Sequence, residues 1–331
     1  MNFRPKKSAI CTGIIATICL IQQPSYSAEK NFAVLQKWSL GSVSKWDYTD
    51  IDPVRHRLFV TRGDRVEVFE LPSGKLIDQI PSTMGVHGVA FAEDLKLGFT
   101  SNGKTNSVTV FDLDTLKVKQ EIKVDGVNPD AILYEPNSKK LFVFNGKTAN
   151  VTVIDGTSMK VIASIPTNGR PEFAVSNNAG KIFFNIEDKS QLNAIDVATN
   201  KLISSWHLKN CDEPTGLAID IPNDRLFSVC QNKAMIVTDA KNGKVIAEVT
   251  IGEHPDAVIY DQETATIFSS NGDGGGSLTV IKQLDSDHYK VLDNVVTAQG
   301  AKTMAMDKKT KVIYLPTVVD KQFLVLSVGN K

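Results

Sequence analysis

The chain has 331 residues and a formal net charge of zero, with 37 Lys plus Arg against 37 Asp plus Glu. Indiscriminate binding to a nucleic-acid backbone needs a basic surplus that this balance excludes. The length admits two ordinary domains or one ring of repeats, and no stretch approaches the ~18 consecutive apolar residues of a membrane-spanning helix.

The first element is a leader. Arg4, Lys6 and Lys7 precede an uncharged run from Ala9 to Ile21, followed by Pro24 and the small residues Ser25, Ser27 and Ala28. This is the pattern of a secretory signal peptide. Cleavage is expected after Ser27, which makes 1–27 the signal and 28–331 a single mature domain. Cys11 and Cys19 fall in the leader, and Ile18 before Cys19 argues against a lipoprotein signal. The mature protein is expected to be soluble and exported, periplasmic or secreted, with no membrane span. Its charge falls to 34 basic against 37 acidic residues, near minus three.

Residues 128–169 hold one full copy of a unit that recurs along the rest of the chain. Ala131 to Tyr134, Lys140 to Phe144, Val151 to Ile154 and Val161 to Ile165 read as four short strands. Pro136-Asn137-Ser138, Asn145-Gly146 and Asp155-Gly156 supply the turns between them. Laid along the chain, the unit aligns second-strand positions Leu58, Leu97, Leu141, Ile182, Leu226, Ile267 and Ile313, with gaps of 39 to 46 residues. Seven copies at this period, four strands each and little helical pattern between them, predict an all-β, seven-bladed β-propeller of four-stranded antiparallel blades. The seventh copy runs out at Lys331 after its third strand. Val34 to Trp38 matches the spacing of a fourth strand, so the N-terminal strand is expected to complete the last blade and close the ring. A closed ring is expected to be a monomer.

The unit resembles the YVTN-type repeat of exported bacterial seven-bladed propellers, the YncE-like group. Phe142-Val143-Phe144-Asn145 and Phe99-Thr100-Ser101-Asn102 stand where that family has its aromatic-Val-Thr-Asn run, and the match covers nearly all of the mature chain. The resemblance implies the fold and export, and it suggests single-stranded DNA binding as one activity. Other similar propellers include lactonase-like hydrolases and subunits of quinone or haem oxidoreductases, although the Cys-x-x-Cys-His of c-type haem attachment is missing here.

Many repeated residues have a constructive role. Asp112, Asp155, Asp196 and Asp239 end third strands and are placed to accept turn N–H groups. Asn102, Asn145 and Asn271 end second strands beside a glycine, where local bonding is expected. Phe59, Phe99, Phe142, Phe183, Phe227 and Phe268 recur at one blade position and read as packing between sheets.

A ligand site is expected where the first strands open into the central channel. Registering the blades places Asp47, His87, Asp130, Glu172, Thr215, Asp256 and Lys302 at that mouth. Three carboxylates, Asp47, Asp130 and Glu172, could hold a hard divalent cation such as Ca²⁺, and His87 among them extends the choice to softer metals. A hydrated acidic channel, a cation site and a catalytic arrangement with His87 or Asp130 as general base all remain open. Trp46 breaks the pattern beside Asp47, where a sugar or peptide could stack. Gly272 to Ser277 reads as a flexible loop on the same face, and Arg62-Gly63-Asp64-Arg65 as positive charge on the rim, with Lys104 and Lys147 nearby. The partner is expected to be a protein or a small molecule on this face, with single-stranded nucleic acid disfavoured by charge.

Cys211 and Cys230 are the two cysteines of the mature chain, and both fall at the same end of blade five. In an exported protein they are expected to form a disulfide. There is no Gly-x-Ser-x-Gly, no His-Glu-x-x-His and no dinucleotide glycine pattern. His207 and His288 fall on peripheral positions, while His254 lies near the mouth in blade six, across the ring from His87.

Overall fold

The computed structural model describes residues 1–3 and 32–331. The chain divides into two units, 1–30 and 31–331. Residues 1–3 carry no secondary structure, and the rest of the expected signal peptide, with its cleavage site, lies outside the described residues.

The turns are set by side chains at the strand ends. Asp155 Oδ1 accepts the N–H groups of Thr157 and Ser158, Asp112 Oδ1 those of Asp114 and Thr115, and Asp196 and Asp239 each take one from the same turn. The left-handed residue of these turns is not the glycine of the Asn-Gly and Asp-Gly pairs. In blade three it falls on Lys139, Ala149 and Met159, at φ of 55°, 51° and 57°. Gly156 serves a different need, since a Cβ there would lie 2.7 Å from the Lys139 carbonyl oxygen. The strand-end asparagines bond across to the neighbouring strand: Asn145 Nδ2 donates to Thr152 Oγ1 at 3.0 Å, and Asn271 Nδ2 to Thr279 Oγ1 at 3.0 Å.

Seven four-stranded antiparallel sheets result. The inner strands of blades one to six are Thr49–Asp52, Val86–Ala92, Pro129–Glu135, Pro171–Ser176, Pro214–Asp220 and Pro255–Asp261, and blade seven has the short Ala305–Met306. Among the described residues helix is limited to two 3₁₀ turns, Glu93–Leu95 and Glu187–Lys189. The strand Phe32–Ser42 pairs antiparallel with Gln322–Asn330 as the outer strand of blade seven, so the two ends of the sequence close the ring. No helix among the described residues is long and apolar enough to cross a membrane.

The core lies between blades rather than at the centre. Phe142, Phe144, Val151 and Val153 of blade three pack against Ile182, Phe184 and Ile195 of blade four, and comparable clusters fill the other clefts. The recurring phenylalanines at 59, 99, 142, 183, 227 and 268 are all buried in these layers.

The seam between blades seven and one is fastened by Arg62, which corrects its placement as free positive charge on the rim. Its side chain is buried, 1% exposed. Nε donates to Ser44 Oγ at 2.6 Å, Nη2 to the Ser42 carbonyl at 2.7 Å and Nη1 to Glu67 Oε2 at 2.8 Å. The guanidinium also sits over the Phe323 ring, with Cζ 3.9 Å from its centroid. Arg65 is likewise engaged, by Glu67 and Asp64.

Cys211 and Cys230 form a disulfide across 19 residues with Cα atoms 5.2 Å apart, and both are buried. On the chain-entropy account a loop of this size contributes about 3 kcal/mol. Changing both cysteines to serine is therefore expected to lower the melting temperature by several degrees. Alkylation of both thiols in the unfolded wild type without reductant would refute the bridge.

Candidate functional site

The first-strand mouths present their side chains to one end of the channel because their backbones are tied to the next blade. Thr303 Oγ1 donates to the Asp47 carbonyl at 2.8 Å, and the Tyr48 N–H to the His87 carbonyl at 3.1 Å. Ser101 Oγ donates to the Asp130 carbonyl, Asn185 Nδ2 to that of Thr215 at 2.9 Å, and Ser270 Oγ to that of Lys302. Thr215 Oγ1, the mouth residue of blade five, donates to the Pro255 carbonyl at 3.1 Å. His87, Asp130, Glu172, Thr215 and Asp256 stand on the inner strands themselves, and Asp47 and Lys302 on the segments just before theirs, held by these bonds to the neighbouring blade.

Asp47, His87 and Asp130, from blades one, two and three, converge. One ligating atom from each lies within 4.8 Å of the others. His87 Nδ1 is 2.5 Å from Asp47 Oδ2 and 3.6 Å from Asp130 Oδ1. The imidazole fits there because residue 103 is glycine, where a Cβ would come 2.7 Å from His87 Nε2. Nε2 itself has no hydrogen-bond partner among the described residues. The ring lies on the wall of a 590 Å³ groove between blades one and two, lined also by Lys45, Met84, Lys104 and Asn128.

Glu172 is not part of that trio. Its Oε1 accepts from the Tyr48 hydroxyl at 2.8 Å, and Tyr48 packs edge-on against Phe173 with centroids 5.3 Å apart. Tyr48 thus reaches from blade one to blade four and floors the mouth. Asp256 is paired instead with Lys302, at 2.8 Å. Trp46 does not stand free beside Asp47: it is half-buried, edge-on to Phe323 at 5.4 Å, with part of its ring on the groove wall. The glycine loop between the second and third strands of blade six is hydrogen-bonded to the segment that enters blade seven. Gly300 N–H donates to the Gly272 carbonyl at 2.7 Å, and Gln299 Nε2 to Asp273 Oδ1 at 2.6 Å.

The charge of the cup is unbalanced. Four carboxylates, Asp47, Asp130, Glu172 and Asp256, share it with Lys302 and a histidine. Burial, then Asp47 and Asp256, push the Asp130 carboxyl well above its ordinary range. Burial, then Asp130 and Glu187, do the same for Glu172. Burial also raises Asp256, against the pull of Lys302. Burial alone would lower the Lys302 pKa, but Asp256, Asp47 and Glu172 hold it above the usual lysine range. Burial followed by Glu172, Asp130 and Asp47 raises Tyr48 far enough that its phenol stays a donor. Such a cup attracts cations, and with Asp47 orienting Nδ1 it leaves His87 Nε2 free to take or give a proton.

Sequence reasoning missed Tyr48 and Gly103. The first had a signal: one residue past the mouth the blades carry Gly88, Ala131, Gly216 and Ala257, and only Tyr48 and Phe173 are aromatic there. The second had none, because the space it leaves is occupied by a side chain from the adjacent strand.

No protein-family model matches the chain, and no curated protein sequence matches it. Its structure is similar to a chain in the crystal structure of the mitotic checkpoint complex, with a TM-score of 0.78 and 11% identity over 95% of this chain and 98% of that one. It is similar to a chain of Kuenenia stuttgartiensis hydrazine synthase, at 0.74 and 16% over 86% and 96%. It is also similar to the RRP9 WD40 repeats, at 0.76 and 8% over 91% and 98%. At these identities the likeness carries the fold alone, and the chain is a seven-bladed β-propeller.

Proposed function

We propose that the protein is an exported propeller of the YVTN, YncE-like kind that binds its ligand at the channel mouth through a divalent cation held by Asp47, His87 and Asp130. The observation that carries this reading is the convergence of those three side chains within 4.8 Å, in a cup whose carboxylates outnumber its cations. Two carboxylates and an imidazole are a mixed oxygen and nitrogen set, better suited to Zn²⁺ or Mn²⁺ than to the all-oxygen shell of Ca²⁺. A cation there would offset the burial and the repulsion from Asp47 and Asp256 that push the Asp130 carboxyl upward. Export is supported by the leader pattern and by the Cys211–Cys230 bridge, which persists in oxidising compartments.

The test is metal analysis of protein purified without chelator, then melting with chelator and with Zn²⁺, Mn²⁺ or Ca²⁺ restored. About one cation per chain is expected, and a cation present at 100 times its Kd should add about 2.7 kcal/mol of stability. A melt unmoved by chelator and by every added cation would overturn the reading.

A second reading, hydrolysis of a lactone-like ester, is favoured by one observation. The 2.5 Å contact of Asp47 with His87 Nδ1 leaves Nε2 open to the groove, the arrangement of an oriented general base. Loss of turnover on a lactone panel in His87→Ala would support it. Single-stranded nucleic acid is the weaker partner, because the cup is acidic and Arg62 is buried.

A further inference from the structure

Below the Tyr48–Phe173 floor the channel is a separate chamber of 310 Å³, lined by apolar side chains including Ile132, Val175, Leu217, Val258 and Met304. That volume is at the lower end of the roughly 300–1,000 Å³ of small-molecule pockets. Tyr48 and Phe173, in contact with one another, line it at the end toward the mouth. At its other end it runs into a 960 Å³ vestibule on the opposite face, and Asp50, Val175, Ile219, Tyr260, Met306 and Lys308 line both spaces. The chamber is therefore reached from the face opposite the candidate cation site.

The charges at the junction are specific. In the vestibule Lys311 Nζ is held by Asp261 and Glu263, each at 2.8 Å. Asp50 has no cation within 4.0 Å among the described residues, and its one hydrogen bond is from the N–H of Ile51, at 2.7 Å. Its side chain is exposed to the water of the lumen. The mass of the surrounding blades, partly offset by the Ile51 N–H and Lys308, pushes its carboxyl up to about 6. Lys308 is exposed and already solvated, so it needs no partner. An unpaired carboxylate at the end of an apolar chamber is the complement of one cation joined to an apolar body.

We infer that the channel is a second binding site, for a hydrophobic amine, with the alkyl or aryl body in the chamber beneath Tyr48 and the ammonium on Asp50. The site is independent of the cation site at the mouth, and neither needs the other to be filled.

Titration calorimetry with octylammonium, octanol and octanoate, all below their aggregation limits, tests this on the whole chain. Octylammonium is expected to bind about tenfold or more tighter than octanol, the worth of a charge-assisted bond. Asp50→Asn should erase that preference while leaving octanol binding within about twofold, which also shows that the variant is folded. Asp130→Asn should leave both affinities unchanged, so failure of the mouth reading does not register here. Equal binding of octanol and octylammonium, tighter binding of octanoate, or no binding by any of the three would each overturn the inference.

Discussion

Replacing Arg62 by alanine is expected to destabilise the protein by about 3–5 kcal/mol, the cost of breaking a buried ion pair by removing one partner. The change leaves Glu67, whose side chain is 10% exposed, with only the half-exposed Arg65 to balance it. It also strips the donors from Ser44 Oγ and the Ser42 carbonyl and empties the space over Phe323. Those groups belong to the stretch leading out of the N-terminal strand and to blade seven, so the loss falls on the seam where the ring is closed. Lysine should not rescue it, since one ammonium cannot reproduce three divergent N–H directions and a flat face over an aromatic ring. Urea unfolding of Arg62→Ala and Arg62→Lys measures the loss, and limited proteolysis should cut within 32–44 before anywhere else. A loss below about 1 kcal/mol, the range of an exposed pair, would show that the seam does not depend on this residue.

The difference between what the chain discloses and what it conceals follows from distance along the sequence. Blade construction is local: Asp155 caps a turn three residues long, and Phe142 repeats because each blade needs the same layer, so both are visible in one copy of the unit. Ring closure was also legible, because a missing fourth strand at one end and a spare one at the other are a counting matter. Arg62 was not, because apart from the nearby Glu67 its partners are Leu40, Ser42, Ser44 and Phe323, and no periodicity announces that a charged residue in a loop faces inward. At the mouth, register alone placed Asp47, His87 and Asp130 on the same rim. It could not say that Glu172 turns to Tyr48, or that Asp256 is taken by Lys302, since both choices depend on side-chain reach across the ring. Tyr48 divides one apparent channel into an acidic cup and an apolar chamber, and that division exists only once blades one and four face each other.

The metal-free protein is expected to become less stable as pH rises from about 5 to 8, and Asp130→Asn to remove part of that loss. The sign follows from the direction of the carboxyl shifts. Asp130, Glu172 and Asp256 hold their protons in the folded protein at pH values where the unfolded chain, with carboxyls near 4, has released them. The folded state then binds more protons than the unfolded one, and stability falls with pH across that interval. It is greatest below the ordinary carboxylate range and is lost as pH rises toward the raised values. The Asp130→Asn amide is neutral throughout and removes the repulsion of this position with Asp47 and with Asp256. At pH 8 the variant without metal should therefore melt above the wild type, by roughly 2–4 °C for each kcal/mol relieved. With cation restored the order should reverse, because the wild type regains a ligand set that the variant has lost. Melting of both proteins at pH 5 and 8, with chelator and with Zn²⁺, gives the four differences needed. A variant less stable than wild type at pH 8 in chelator would mean that Asp130 is held as a charged, satisfied carboxylate, and the electrostatic basis for a cation at this mouth would be gone.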